Sequence, residues 1–170
     1  MSDPLQIHPA VARGKLQEYM WDDPNYIAEE KLDGVRYLWH IHDGHSHFTS
    51  RRISSKTGML VQKDEHFPHI SNLRCKLPPG TIFDGEMMPP NGRRGKSYDV
   101  TKITGSLPET AIWLQEQFGW LSYNAFDILH LSFSLTGLPF YQRREKLELA
   151  VNSLLDGGES IRYLPQEKGL

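Results

Sequence analysis

The sequence predicts an α+β domain, and three observations carry that expectation. Short runs rich in Val, Ile, Phe, Tyr, Trp and Thr are separated by Asp-Gly, Asn-Gly and Pro-Gly breaks, as in antiparallel strands joined by turns. Helical periodicity is confined to segments of its own. At 170 residues, 38% hydrophobic and 24% charged, the chain suits one soluble domain with a sizeable core.

The elements follow in chain order. Residues 9–20, PAVARGKLQEYM, open on Pro and space Val11, Leu16 and Met20 loosely as a short helix. Strands are expected over 25–32, 35–42 and 45–51, then a short helix over 67–76 that ends at LPPG. TIFDGEMM, 81–88, reads as a strand fenced by Pro-Pro on both sides, and residues 89–105 read as a long loop. Ser106 and Glu109 have capping-box spacing and open an amphipathic helix to about Gln117. WLSYNAFDIL, 120–129, is a further strand. Phe140, Leu147, Val151 and Leu154 mark one face of a last helix, with RREKLE on its solvated side, and a final strand begins near Ile161.

Composition narrows the class. Cys75 is the only cysteine, so no intrachain disulfide forms, and a reducing, cytoplasmic setting is expected. No apolar run has the length of a membrane span, and no signal-peptide core is visible. The formal net charge of −2 does not mark a polyanion binder. Local basic clusters at Arg51-Arg52, Arg74/Lys76 and Arg93-Arg94/Lys96 still provide places for phosphate.

Register sharpens the central segment. With Asp43-Gly44 as a two-residue turn, 42 faces 45, 40 faces 47, 38 faces 49 and 36 faces 51. Tyr37, Trp39, Ile41 and Phe48 then point inward, while Arg36, His40, His42, His45, His47 and Arg51 share the other face. Two opposed arginines repel; a bound anion would remove that cost, and the alternatives are a slipped register or side chains splayed into water. The four histidines suit either a metal site or, lacking any Cys/His spacing motif, a solvated face. In FDGEM a turn at Asp84-Gly85 would leave strands too short, so the strand runs straight through. Asp84 and Glu86 then share a face, on which Glu86 suits a sugar hydroxyl or the whole acidic face is simply solvated, and Gly85 marks a close approach of a ligand or another backbone.

Lys31 lies in EEKLDGVRYLW among Glu29, Glu30 and Asp33. Alone, the stretch is either a charged Asp-Gly hairpin corner or the setting of a reactive lysine. Its KLDGVR resembles the K-x-D-G-x-R nucleophile motif of covalent nucleotidyltransferases, the ATP-dependent polynucleotide ligases and mRNA capping enzymes. SR at 50–51, FDGE at 83–86, AFDIL at 125–129 and the RREKLE helix follow in that family's order. The resemblance covers roughly residues 9–165 and is nearest to small ATP-dependent DNA ligases of viral or bacterial type.

The resemblance implies an ATP-grasp-like nucleotidyltransferase (adenylation) domain of antiparallel sheets flanked by helices. Lys31 would attack the α-phosphate of ATP and hold AMP as a phosphoramidate. Glu29 would lie near the adenine, Arg36 and Glu86 would bind ribose hydroxyls, Phe126 would stack on the base, and Arg51 would grip the 5′-phosphate of a nick. For Phe126 the residues alone favour a core position. An amine is nucleophilic only when deprotonated, and the neighbouring glutamates oppose that, so Mg²⁺ or Mn²⁺ at the phosphates is expected, with no ligand assigned. The implied partner is nicked double-stranded DNA, bound by a monomer in repair, replication or recombination. The family's later E-G-hydrophobic motif, its K-x-K strand and its OB-fold domain have no counterpart in residues 1–170, and only a short stretch precedes Lys31. The expectation is therefore a partial adenylation domain without a large N-terminal domain and with impaired turnover. Alternatives are a capping guanylyltransferase, an RNA ligase, or a non-catalytic nucleotide- or DNA-binding module.

Overall fold

The structure, a computed structural model, describes residues 18–23, 26–42, 45–73, 75–90, 97–153, 160–163 and 166–168. Most of the first expected helix, the Asp43-Gly44 turn, Arg74, the Arg93-Arg94/Lys96 cluster and Leu154 lie outside them. The strands are β1 (Ile27–Glu29), β2 (Val35–Ile41), β3 (Ser46–Ile53), β4 (Leu60–Gln62), β5 (Thr81–Met88), β6 (Ser122–Leu131), β7 (Phe133–Ser134), β8 (Ile161–Tyr163) and β9 (Gln166–Lys168). The helices are α1 (Pro68–Ser71), α2 (Ser97–Thr104), α3 (Pro108–Phe118) and α4 (Phe140–Ser153). The main sheet runs β4-β3-β2-β5-β6-β7, all antiparallel, and β8 joins β6 in parallel. A separate pair joins β1 to β9.

The hairpin register is the expected one, with His40 opposite His47 and Trp39 opposite Phe48. Trp39 also faces Phe83 across β5, and its ring stacks on both neighbours, at 5.9 Å from Phe48 and 5.3 Å from Phe83. Stacked aromatics across strands add to the burial of their own area. Helix α1 packs on β3, α2 on β2 and β5, and α4 on β6 and β8.

Four expectations change. The sheet face carrying Arg36 is covered at its centre rather than solvated throughout: Leu38, Ile82 and Leu129 form a small core, and His40 is 1% exposed, while His45 and Arg51 stay exposed. Residues 97–104 of the expected loop are helix α2, because Val100 and Ile103, three apart, bury one flank and outweigh weak β-branched helix propensity. The capping box does not form. Leu107 is the N-cap of α3 and Pro108 sets the first turn, while the Ser106 hydroxyl donates to the Ile103 carbonyl at 2.7 Å. Within RREKLE, Arg144 is buried, not solvated.

Strand β5 does run straight through Asp84-Gly85. A Cβ on Gly85 would sit 2.6 Å from both the Asn124 carbonyl oxygen and the Tyr123 ring. The Tyr123 hydroxyl fills that notch, donating to the Tyr37 carbonyl at 3.0 Å with the Phe83 carbonyl at 3.3 Å. Burial pushes this phenol's pKa well above its ordinary value. Gly85→Ala is expected to lower stability by about 2–3 kcal/mol in urea unfolding, because backbone and a locked ring must both move.

Candidate active site

Lys31 lies on the exposed link between β1 and β2. The link is not a hairpin corner, since β1 pairs with β9 and neither Asp33 nor Gly34 has positive φ. Gly34 is there for proximity instead: a Cβ would fall 2.2 Å from the Met87 carbonyl oxygen. That approach lets the Gly34 N–H donate to Glu86 Oε1 at 2.9 Å. Burial raises the Glu86 carboxyl above its ordinary pKa, offset by this hydrogen bond and then by the charges of Lys31 and Arg36. Lys31 and Glu86 therefore sit in each other's field. Asp33 adds a second carboxylate there and pushes the Glu86 pKa further up.

Arg36 pairs in register with Glu86 across β2 and β5. Its guanidinium forks onto Asp84, with Nε to Oδ1 at 2.8 Å and Nη2 to Oδ2 at 2.5 Å, and lies 5.3 Å from the Phe126 ring centroid. The Asp84 bond is the main cause of its raised pKa and keeps Arg36 protonated. Asp84 is 3% exposed; burial raises its pKa and Arg36 pulls it back down. The expected cross-strand opposition of Arg36 and Arg51 is not part of the strand pairing, and Arg36 is engaged by Asp84. Pairing of β2 with β3 ends at Tyr37 and Ser50, one step short, and Arg36 engages β5 while Arg51 is exposed.

Phe126 is half-buried on β6, and next to it Asp127 accepts from Arg143 Nε at 2.8 Å and Nη2 at 2.7 Å. Glu29 reaches α4, where its Oε1 accepts from Arg144 Nη1 at 3.3 Å. Arg144 also donates to Glu148 Oε1 at 3.0 Å and lies 5.2 Å from the Tyr163 ring centroid. Lys31, Arg36, Glu86 and Phe126, far apart in sequence, therefore form one neighbourhood. Glu29 is tied to α4 beside it, and Arg51 stands past the end of the strand pairing. Asp84, Asp127, Arg143 and Arg144 were not among the expected site residues. For Asp84 the signal was present, since it shares a strand face with Glu86. Among the described residues no three His, Cys, Asp or Glu side chains converge as a metal site.

The fold is that of ATP-using polynucleotide ligases. It superposes with TM-score 0.57 on the ATP-dependent DNA ligase of bacteriophage T7 solved with ATP, over 88% of this chain and 51% of that one, at 16% identity. The TM-score is 0.56 for a mycobacterial DNA ligase D complexed with ATP and MES, over 84% of this chain and 40% of that one, at 20% identity. The family model for the ATP dependent DNA ligase domain matches residues 11–161, and the chain belongs to that family. A probable DNA ligase of Dictyoglomus turgidum is 26% identical over 159 residues, 93% of this chain and 26% of that protein. The chain spans about a quarter of the length of that relative.

Proposed function

We propose that this chain carries the nucleotide-activating step of an ATP-dependent DNA ligase. The observation behind this reading is that, in a chain of that family, Lys31 lies within the field of Glu86, Glu86 pairs in register with Arg36, and Arg36 lies over Phe126. The Lys31 amine, once deprotonated, attacks the α-phosphorus of ATP; an N–P bond forms and the P–O bond to pyrophosphate breaks. AMP then passes to the 5′-phosphate at a nick in double-stranded DNA, and the 3′-hydroxyl displaces it to close the strand. Glu86 and Arg36 hold the ribose, Phe126 stacks on the base, Glu29 lies at the adenine and Arg51 meets the 5′-phosphate. Arg36 enters this role oriented by Asp84, which reduces the ordering needed on binding. A divalent ion such as Mg²⁺ neutralises phosphate charge when bound. It takes oxygen ligands, often substrate phosphates with one or two carboxylates, a chemistry that the exposed Asp33 carboxylate fits.

The test is the intact mass of the chain after incubation with ATP and Mg²⁺ or Mn²⁺. A slow gain of one AMP, mapped to Lys31 and absent from Lys31→Ala, is expected. Label on another residue, or equal labelling from GTP, overturns the assignment.

A further inference from the structure

Lys63 sits among groups that disfavour its charge. It follows β4 directly, and its backbone N–H donates to the Phe48 carbonyl on β3 at 2.9 Å. Burial, and next the charge of Arg52, lower the pKa of this half-buried amine. The turn that follows, Asp64–His66, brings His66 Nε2 to 3.2 Å from Lys63 Nζ, and the same nitrogen lies 3.0 Å from the Ser106 carbonyl oxygen. His66 is held firmly there. The residue is 5% exposed, and its own carbonyl accepts from the buried Gln115 Nε2 at 2.8 Å. Asp64 and Glu65, the carboxylates of that turn, favour its imidazolium, yet burial outweighs them and lowers its pKa.

These contacts fix the protonation states between them. In the neutral His66 ring one nitrogen carries a proton and the other a lone pair. A carbonyl oxygen only accepts, so the contact with Ser106 puts the proton on Nε2. Nδ1 is then the bare nitrogen, in keeping with its having no hydrogen-bond partner among the described residues. An ammonium at Lys63 would set N–H against N–H, because it has no lone pair with which to accept. A free amine has one and accepts from Nε2–H alongside Ser106. Both contacts are satisfied together only by the uncharged form of Lys63, which is also its nucleophilic form. Desolvation and a neighbouring cation are the circumstances that activate a lysine amine, and Lys63 has both.

We propose that Lys63 is a reactive amine, a modification site that takes the acyl group of a small acyl phosphate, with the exposed Arg52 guanidinium drawing in the phosphate. Nζ attacks the acyl carbon and a C–N bond forms. The C–O bond to phosphate breaks, and the departing phosphate takes up the proton that Nζ loses. The amide product carries no charge to be desolvated beside Arg52 and His66. The test is incubation of the whole chain with acetyl phosphate, followed by peptide mass spectrometry of each lysine. Neither ATP nor DNA enters it, so its outcome is independent of the ligase reading. The free-amine fraction at neutral pH changes about tenfold for each unit of pKa. Lys63 is therefore expected to acetylate several-fold faster than the exposed Lys56 and Lys102, with a pH midpoint below theirs. Arg52→Gln, a change at an exposed position, should slow Lys63 several-fold with acetyl phosphate and less with an uncharged acetyl ester. Labelling of Lys63 no faster than that of Lys56 and Lys102, or a midpoint shared with them, overturns the proposal. An equal loss with both acyl donors in Arg52→Gln overturns the choice of an acyl phosphate.

Discussion

Asp84→Leu is expected to lower stability by roughly 3 kcal/mol, because it leaves the Arg36 guanidinium charged without its forked partner. The figure sits at the low end for a broken buried pair because Arg36 keeps 20% of its side-chain surface in water, against 4% for Asp84. Arg36→Met combined with Asp84→Leu should recover most of the loss, since Leu38 and Ile82 offer an apolar setting on the same face. Urea unfolding of the two single variants and the double variant measures this as a cycle. Restored stability without restored Lys31 labelling would separate the arginine's proposed role toward ribose from its role in holding the sheet. A double variant as unstable as Asp84→Leu would show that the cost lies in packing rather than charge.

Acid should weaken the fold well before its carboxylates titrate. Burial, and next the charges of His47 and His42, lower the His40 pKa to about 3 from 6.5. The unfolded chain therefore binds a proton below about pH 6.5 that the folded chain refuses until about pH 3. Stability is full above 6.5 and falls with pH through that window, by at most about 1.4 kcal/mol per pH unit from this residue. His47, His66 and His69, also lowered chiefly by burial, act in the same direction. Asp84 and Glu86, whose pKa values are raised, act oppositely, so the cleaner interval lies above the carboxylate range. Between pH 7 and 5 a loss of about 2 kcal/mol is expected from His40 in denaturant unfolding. His40→Gln, which can still bond Thr49, should flatten that part of the profile. An equally steep profile in His40→Gln would assign the effect to the other imidazoles.

How much of this was legible follows from which interactions are local. The β2–β3 register came from turn arithmetic alone, and β5 came from proline-bearing turns on either side, because turn chemistry is written in neighbouring residues. Whether a face is covered is decided by other elements, so His40 read as solvated and Arg144 as surface. Helix α2 was hidden for the same reason: Val100 and Ile103 become helix-forming only where β2 and β5 give them something to bury against. In the site, the ordered motifs put Lys31, Arg36, Glu86 and Phe126 together. The partner that holds Arg36 comes from 48 residues away, and the one that holds Glu29 from 115. Pairings that distant leave no periodicity to read.

The Tyr123 hydroxyl, lodged in the notch at Gly85, also bears on the order in which the chain can fold. It bonds a carbonyl 86 residues away and lies near another 40 away, so its place exists only after β2, β5 and β6 have met. Forming such a latch requires the entropy of large loops to be lost before any hydrogen bond is gained. Local turns such as Ser54–Met59 can close early; the centre of the sheet is a late, cooperative event. A ring seated there reports completion of the whole sheet rather than of any one hairpin, and the strands that carry Arg36, Glu86 and Phe126 reach their final spacing at the same moment.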